Sequence, residues 1–231
     1  MLILALDTTT RAGSCALARD GSVLRELASD PGQSHAEHLP GDLMALLEAT
    51  RVRLEAIDAF AVATGPGSFT GVRVGIATMQ GLAFAEGKPL IGVSALDALA
   101  RVAGPTPVDH IATWIDAWRG EVYAARYEHG REVEPPTVEH PAAILARWGR
   151  AMPGRVRFVG DGAATFTELI RATLGDRAAM ADPMAPLLAG TIAQLAHASA
   201  AAGLLPSPHA IRPLYVRRTD AELARDARAG L

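Results

Sequence analysis

The sequence predicts an α/β protein composed of two similar halves that face each other across a cleft. Strands and helices alternate twice along the chain in the same order, which favours parallel strand pairing within each half. The first strand of each half ends in an aspartate, Asp7 or Asp116, and a short turn leads into a second strand. Glycine-rich strand-to-helix junctions, Gly65-Pro66-Gly67 and Gly160-Asp161-Gly162, then follow at matching positions. These echoes indicate an internal duplication.

In the first half, three consecutive strands precede the alternating part. A turn at Asp20-Gly21 is typical of a hairpin, and helical spacing begins near Ser34. The predicted strands and helices of this half are strands 2–6, 14–19 and 22–28, a helix, strand 59–63, helix 70–85, strand 90–93 and helix 95–103.

In the second half the same order returns after the proline-rich stretch 104–107. The predicted elements are strands 111–115, 121–127 and 133–138, a helix after Pro141, strand 156–159, helix 164–174, strand 178–180 and helix 185–202. We therefore expect a domain over 1–104, a second, degenerate domain over 105–218 with helix 185–202 at the domain interface, and a peripheral tail, 219–231. Two βββαβαβα units facing a cleft are the layout of the actin, hexokinase and Hsp70 class, which is ribonuclease H-like.

Composition excludes several classes of protein. A chain of 231 residues, 49% hydrophobic and 20% charged, can bury a substantial core, so disorder is excluded. A net charge of −3 supplies no bulk positive field for RNA, and the single cysteine, Cys15, excludes a disulfide framework. The apolar start meets Asp7 too soon for a signal peptide, and stretch 72–85 is shorter than the roughly 20 residues of a membrane span. We expect a cytoplasmic protein that does not contact membranes.

The turn after the first strand has the groups of a phosphate or magnesium site. It offers a carboxylate at a strand end, hydroxyl groups and backbone N–H groups near a glycine, and its candidate residues are Asp7, Thr8, Thr9, Thr10 and Ser14. Asp116 is the counterpart in the second half. The alternative is a threonine-rich tight turn that satisfies its own backbone.

The segment Gly65-Pro66-Gly67-Ser68-Phe69-Thr70-Gly71 also allows two interpretations. Its free N–H groups at a helix start could bind an anion, or its glycines could simply permit a tight crossover with Ser68 or Thr70 as the N-cap. It lacks the lysine of a nucleotide P-loop. His35 and His38 are too few for a metal site, so we expect no metal and no cofactor.

The helix over residues 71–85 predicts a protein interface. Arg73 and Gln80 are its strongly polar residues, and a helix that is apolar almost all round must be buried on more than one side. With the preceding helix it could form a two-plus-two bundle with another chain, or the chain itself could cover it. The candidate interface residues are Leu39, Leu43, Leu46, Leu47, Gly71, Val72, Val74, Gly75, Thr78, Met79 and Leu82.

Four motifs in the sequence resemble the TsaB family, also called YeaZ, over residues 1 to about 217. They are Ile3-Leu-Ala-Leu-Asp-Thr-Thr-Thr10, His35-Ala-Glu-His-Leu-Pro40, Gly65-Pro-Gly-Ser-Phe-Thr-Gly-Val-Arg-Val-Gly75 and Pro213-Leu-Tyr-Val-Arg217. The resemblance implies a bacterial, noncatalytic partner of the paralogue TsaD, which with TsaE and TsaC makes threonylcarbamoyladenosine at position 37 of tRNA. It further implies a heterodimer with TsaD, TsaE as an ATPase in the complex, a homodimer in isolation, and contact with tRNA through the complex.

The paralogue carries metal-binding histidines where Ala95 and Leu99 stand here, so the resemblance implies no transferase centre. The chain also departs from its own family. Met79-Gln80 replaces a usual alanine-lysine pair, and Asp116-Ala117-Trp118-Arg119 replaces Asp-Ala-Arg, so that Arg119 is the candidate substitute for the cleft arginine. Two alternatives remain at this point, a nucleotide-dependent kinase or hydrolase using Asp7 and Asp116, and a glycoprotease-like peptidase.

Overall fold

Two five-stranded mixed sheets form the framework of the protein. The structure is a computed structural model and describes residues 1–10, 13–30, 32, 35–104 and 110–217. The predicted tail, 219–231, and most of the proposed domain boundary therefore lie outside the described residues.

The two sheets have the same strand order. The first contains β1 (Leu2–Asp7), β2 (Ser14–Arg19), β3 (Ser22–Ala28), β4 (Ala59–Gly65) and β5 (Leu90–Ser94), in the order β3-β2-β1-β4-β5. The second contains β6 (His110–Asp116), β7 (Val122–Glu128), β8 (Arg131–Glu139), β9 (Val156–Val159) and β10 (Ala178–Met180), in the order β10-β9-β6-β7-β8. In each sheet the first strand pairs antiparallel with the second and parallel with the fourth. The predicted fold class, with its duplication, is confirmed.

Seven α-helices lie among the described residues. They are α1 (His35–Thr50), α2 (Phe69–Ala85), α3 (Ala95–Ala103), α4 (Pro141–Ala151), α5 (Asp161–Thr165), α6 (Thr167–Leu174) and α7 (Ala189–Ala201).

Successive side chains of a strand point to opposite faces of its sheet, and this alternation separates the core into layers. On β1, Leu2, Leu4 and Leu6 face an outer core with α1 and α2, whereas Ile3 and Ala5 face an inner core. The inner core contains α3 and α7 and is lined by residues of both sheets. The outer face of the second sheet packs against α4, α5 and α6. The order is therefore helix, sheet, helix, sheet, helix, and the strand-end turns lie beside the inner layer.

Two predicted helices differ from those observed. Helix 164–174 is divided at Phe166, because a short helix already begins at Asp161, directly after Gly160. Helix 185–202 begins at Ala189, where the backbone N–H groups of Leu188 and Ala189 reach the hydroxyl group of Ser14. This helix packs on the first sheet and beside α3. The domain limits themselves stay a prediction.

Within the described part of the chain, no helix combines the length and the apolar character that crossing a bilayer requires.

Candidate functional site

The turn after β1 is held by its own side chains. The Asp7 carboxylate accepts hydrogen bonds from the Thr9 backbone N–H at 2.9 Å, from Thr9 Oγ1 at 2.6 Å and from Thr10 Oγ1 at 3.2 Å. Asp7, Thr8 and Thr9 are buried. The structure brings the predicted phosphate-site residues together, but it uses them to satisfy the turn, as the tight-turn interpretation requires.

The turn after β6 repeats this arrangement. Asp116 Oδ1 accepts a hydrogen bond from the Trp118 backbone N–H at 2.8 Å, the same two-residue reach as in the first half. The Asp116 backbone N–H in turn donates to Asp161 Oδ1 at 3.0 Å. Both strand-end aspartates therefore serve as turn caps.

The two glycine-rich strand-to-helix junctions pack closely against these turns. A Cβ added at Gly67 would lie 2.3 Å from the Thr9 carbonyl oxygen, and one at Gly162 would lie 2.9 Å from the Asp116 nitrogen. Ser68 caps α2 by accepting from the Gly71 backbone N–H, and its own N–H donates to the Thr9 carbonyl at 2.9 Å. Of the two interpretations of this segment, the tight crossover with Ser68 as N-cap agrees with these contacts.

The backbone N–H groups at the start of α7 are also bound by side chains of the protein itself. Its first N–H groups donate to Ser14 Oγ, and the Gly190 N–H donates to a Glu26 carboxylate oxygen at 2.8 Å. A carboxylate is the group that a positive helix end favours, so the position that could receive an anionic ligand already holds one. The sequence analysis did not identify Glu26. Nothing in the sequence of β3 indicates that this residue binds the start of a helix 164 positions further along the chain.

The electrostatics around these turns also disfavour an added phosphate. Burial, together with the nearby charges of Asp116 and Asp7, raises the pKa of Asp161. Burial also raises the pKa of Glu26, with a further contribution from Asp7. Carboxylates from both halves therefore face the same small region.

His38, one of the two histidines considered for a metal site, pairs with a carboxylate of its own helix. His38 Nδ1 lies 2.7 Å from Asp42 Oδ2, which also accepts from Ser29 Oγ at 2.7 Å. Ala95 and Leu99 are buried on α3. Among the described residues, no three His, Cys, Asp or Glu side chains are grouped for a metal ion.

The predicted interface needs a correction. Leu39, Leu46 and Met79 are at most 1% exposed and pack in the outer core of their own subunit, with Leu43 and Val72 only slightly more exposed. Gly75 is buried against Thr8, and Gly71 accepts a hydrogen bond from the Thr8 hydroxyl. These residues hold α1 and α2 to the sheet, so they are not available to another chain.

The remaining predicted interface residues, Leu47, Val74, Thr78 and Leu82, are half-buried. The exposed residues of the two helices include Met44 and Ala45 on α1 and Ala77 and Gly81 on α2, which are together called the α1–α2 face here. It is the part of the predicted interface region that a partner could reach.

The C-terminal segment 203–217, called the strap here, binds the two strongly polar residues of α2, Arg73 and Gln80. Gln80 donates to the Pro208 carbonyl at 2.9 Å, and Arg73 Nε donates to the Tyr215 hydroxyl at 2.6 Å. Arg217 pairs with Glu121 in the second half. The spacing of Arg73 and Gln80 was visible in the sequence, but what covers them was not.

The fold and its paired strand-end turns define a protein of the actin-like class, and comparisons with known proteins agree. A family model described as "TsaD: tRNA N6-adenosine threonylcarbamoyltransferase" matches residues 14–225. Component A of (R)-2-hydroxyglutaryl-CoA dehydratase from Acidaminococcus fermentans has the same fold, with a TM-score of 0.56 at 10% identity over 87% of this chain and 99% of that one.

More similar relatives identify the family. The tRNA threonylcarbamoyladenosine biosynthesis protein TsaB of Escherichia coli is 40% identical over 177 residues, 73% of this chain and 75% of that protein. The structure of YeaZ from Pseudomonas aeruginosa has a TM-score of 0.73 and 32% identity, covering 93% of this chain and 100% of that one. The chain belongs to the TsaB (YeaZ) family, within tRNA threonylcarbamoyladenosine biosynthesis.

Proposed function

We propose that this chain is a noncatalytic subunit that binds and activates a TsaD-type transferase during synthesis of tRNA threonylcarbamoyladenosine. One observation carries the noncatalytic part of the proposal. The groups that would face a nucleotide in an actin-like enzyme, Asp7, Asp116 and the start of α7, are hydrogen-bonded to the chain's own groups. A carboxylate that caps a turn is a poor base for orienting an attacking water.

The partner would dock on the α1–α2 face. Gly81 and Ala77 are exposed small residues one helical turn apart, so another helix could approach closely there, and Met44 on α1 is 57% exposed. The same face would support a homodimer when TsaD is missing. A TsaE-like ATPase would join the complex, tRNA would be reached through the complex, and the work would take place in the cytoplasm.

Two substitutions on this face test the proposal. Met44→Asp and Gly81→Arg change exposed positions, and nothing lies within 4 Å of a Cβ at Gly81, so both variants should fold. We expect each to weaken binding of the cognate TsaD by at least about tenfold, as measured by calorimetry. Val133→Asp, at an exposed apolar position of β8, is the matched control.

The same proteins also separate the proposal from a nucleotide-dependent enzyme. The chain alone should show no ATP turnover above that of Asp7→Ala, and threonylcarbamoyl transfer by TsaD should fall in the two face variants. Folded variants that bind TsaD as well as the control would place the interface elsewhere. Turnover lost only in Asp7→Ala would make the chain an enzyme.

A further inference from the structure

The six methionines of the chain differ widely in exposure, and all of them lie within the described residues. Five are fully or half-buried, namely Met1, Met79, Met152, Met180 and Met184. Met44, in contrast, is 57% exposed. An oxidant dissolved in water therefore reaches the sulfur of Met44 more easily than that of any other methionine of the protein.

Met44 lies on the side of α1 that is turned away from the core. Its neighbours Leu43 and Leu46 are buried in the outer core. One turn before Met44, a Cβ added at Gly41 would have nothing within 4 Å, and one turn after it Glu48 is exposed. Solvent therefore borders Met44 in both directions along the helix.

The other sulfur that an oxidant could attack, that of Cys15, is protected. Cys15 is fully buried on β2, and burial raises the pKa of its thiol to about 12, with further contributions from the charges of Asp42 and Glu26. The thiolate, which is the reactive form of a cysteine, is therefore scarce at neutral pH. Met44 is the sulfur that a mild oxidant should modify first.

We propose that Met44 is a site of reversible oxidation, and that its sulfoxide weakens binding of a partner to the α1–α2 face. The oxidant is a peroxide, with hydrogen peroxide as the simplest case. The Met44 sulfur attacks one oxygen of the peroxide, so a sulfur–oxygen bond forms while the oxygen–oxygen bond breaks. The sulfur loses two electrons and the peroxide gains them, and the leaving hydroxide takes the proton of the transferred hydroxyl group to become water.

The sulfoxide should act on the complex and leave the free subunit folded. In the free chain the added oxygen remains in contact with water, whereas in a complex it must give up that water. A thioether is apolar and adapts to a neighbouring surface, but a sulfoxide is polar and needs a hydrogen-bond partner when it is buried. Oxidation therefore penalises docking without unfolding α1.

The effect should also depend on whether the subunit is already bound. A partner on the α1–α2 face covers the Met44 sulfur, so oxidation acts mainly on free subunits. By linkage, a modification that weakens binding is itself disfavoured by binding. This inference rests on the proposed function, since that function assigns the same face to a TsaD-type transferase.

Treatment of the full chain with hydrogen peroxide, stopped with catalase, tests the chemical part of the proposal. Peptide mass spectrometry measures the oxidation of each methionine. We expect Met44 to be oxidised at least about tenfold faster than Met79 or Met152, with an unchanged circular dichroism spectrum. Cognate TsaD added before the peroxide should slow oxidation of Met44 and leave that of Met180 unchanged. Equal rates at Met44 and Met79 would overturn the assignment.

Calorimetry with untreated TsaD tests the effect on binding. The oxidised chain should bind about 5- to 150-fold more weakly than the untreated chain, and methionine sulfoxide reductase should restore the affinity. Met44→Leu keeps an apolar side chain of similar size, so it should bind TsaD normally before and after peroxide. Met180→Leu is the matched control and should still lose affinity on treatment. An equal loss in treated Met44→Leu would show that another residue is responsible.

Met44→Asp separates this inference from the proposed function. If this variant binds TsaD normally, the α1–α2 face is not the docking surface and the proposed function is wrong at that point. If it binds weakly but the oxidised chain binds as tightly as the untreated chain, the docking surface stands and the oxidation inference alone is wrong.

Discussion

The ionised form of the Asp161 side chain is disfavoured in the folded protein. It is buried, it accepts the Asp116 backbone N–H, and both Asp116 and Asp7 lie close enough to raise its pKa. A raised pKa means that folding favours the protonated form, so this group supports stability at low pH. That support is lost as the pH rises through the folded pKa.

Asp161→Asn should therefore stabilise the protein above that pKa. The amide oxygen can still accept from the Asp116 backbone, while the repulsion between carboxylates disappears. We expect the melting temperature to rise by about 2–4 °C at pH 8 for each kcal/mol gained, and by less at pH 4. Thermal melts at the two pH values check this. Asp176→Asn, at an exposed position, is the control and should change little. An equal shift at both pH values would show that the repulsion is not the cause.

At the scale of elements, the join between α2 and the turn after β1 depends on Gly75. A Cβ at this position would lie 2.2 Å from Thr8 Oγ1, and that hydroxyl group donates to the Gly71 carbonyl at 2.8 Å. A stripe of small residues on α2 was visible in the sequence. The structure divides it into a buried part that meets the chain's own turn and an exposed part around Gly81.

Gly75→Ala should destabilise the protein by about 1–3 kcal/mol, because Thr8 or the helix must move. Thr8→Ala removes the close hydroxyl group, so Gly75→Ala should cost less in that background, and denaturant melts of the four proteins measure the difference. Gly81→Ala is the matched control on the same helix, and with open space around it we expect a gain of up to about 1 kcal/mol. Equal costs of Gly75→Ala in both backgrounds would contradict this contact.

Local patterns predicted most of these elements well, and contacts distant in sequence explain what they missed. Helix 95–103 coincides with α3 because Ser94 caps its start and Gly104 follows its end. The interface prediction assigned Leu39 and Met79 to a partner because a helix apolar on many sides looks the same whether a sheet or another chain covers it. Spacing could identify Asp7 and Asp116 as strand ends, but it could not show that backbone N–H groups two residues on already occupy them.

In the whole molecule, α7 packs on the strands of the first sheet, although it follows the second half in sequence. α7 contacts β4, and Ile192 and Ala196 of α7 belong to the same inner core as the alanines of that strand. The strap then continues across α2, where the Leu214 N–H donates to the Thr64 carbonyl at 2.8 Å. The first sheet is therefore completed by the last described residues.

A chain ending at residue 186 should consequently fail to form a stable fold, although it retains all ten described strands. Its loss of α7 uncovers an apolar sheet face, and such faces promote aggregation. A chain ending at residue 217 keeps α7 and the strap and should melt cooperatively, which circular dichroism and limited proteolysis can compare. A cooperative melt of the shorter chain near the temperature of the longer one would contradict this dependence.

The position of α7 in the sequence also determines when the first sheet can be completed during synthesis on the ribosome. Translation proceeds at about 5–20 residues per second, so the segment from the end of α3 at Ala103 to the end of α7 at Ala201 takes roughly 5–20 s to appear. During that interval α7 is still missing from the inner face of the first sheet, which only α3 can then cover. The first half is thus completed late in synthesis, and chaperones have their clearest opportunity to bind this chain before α7 has emerged.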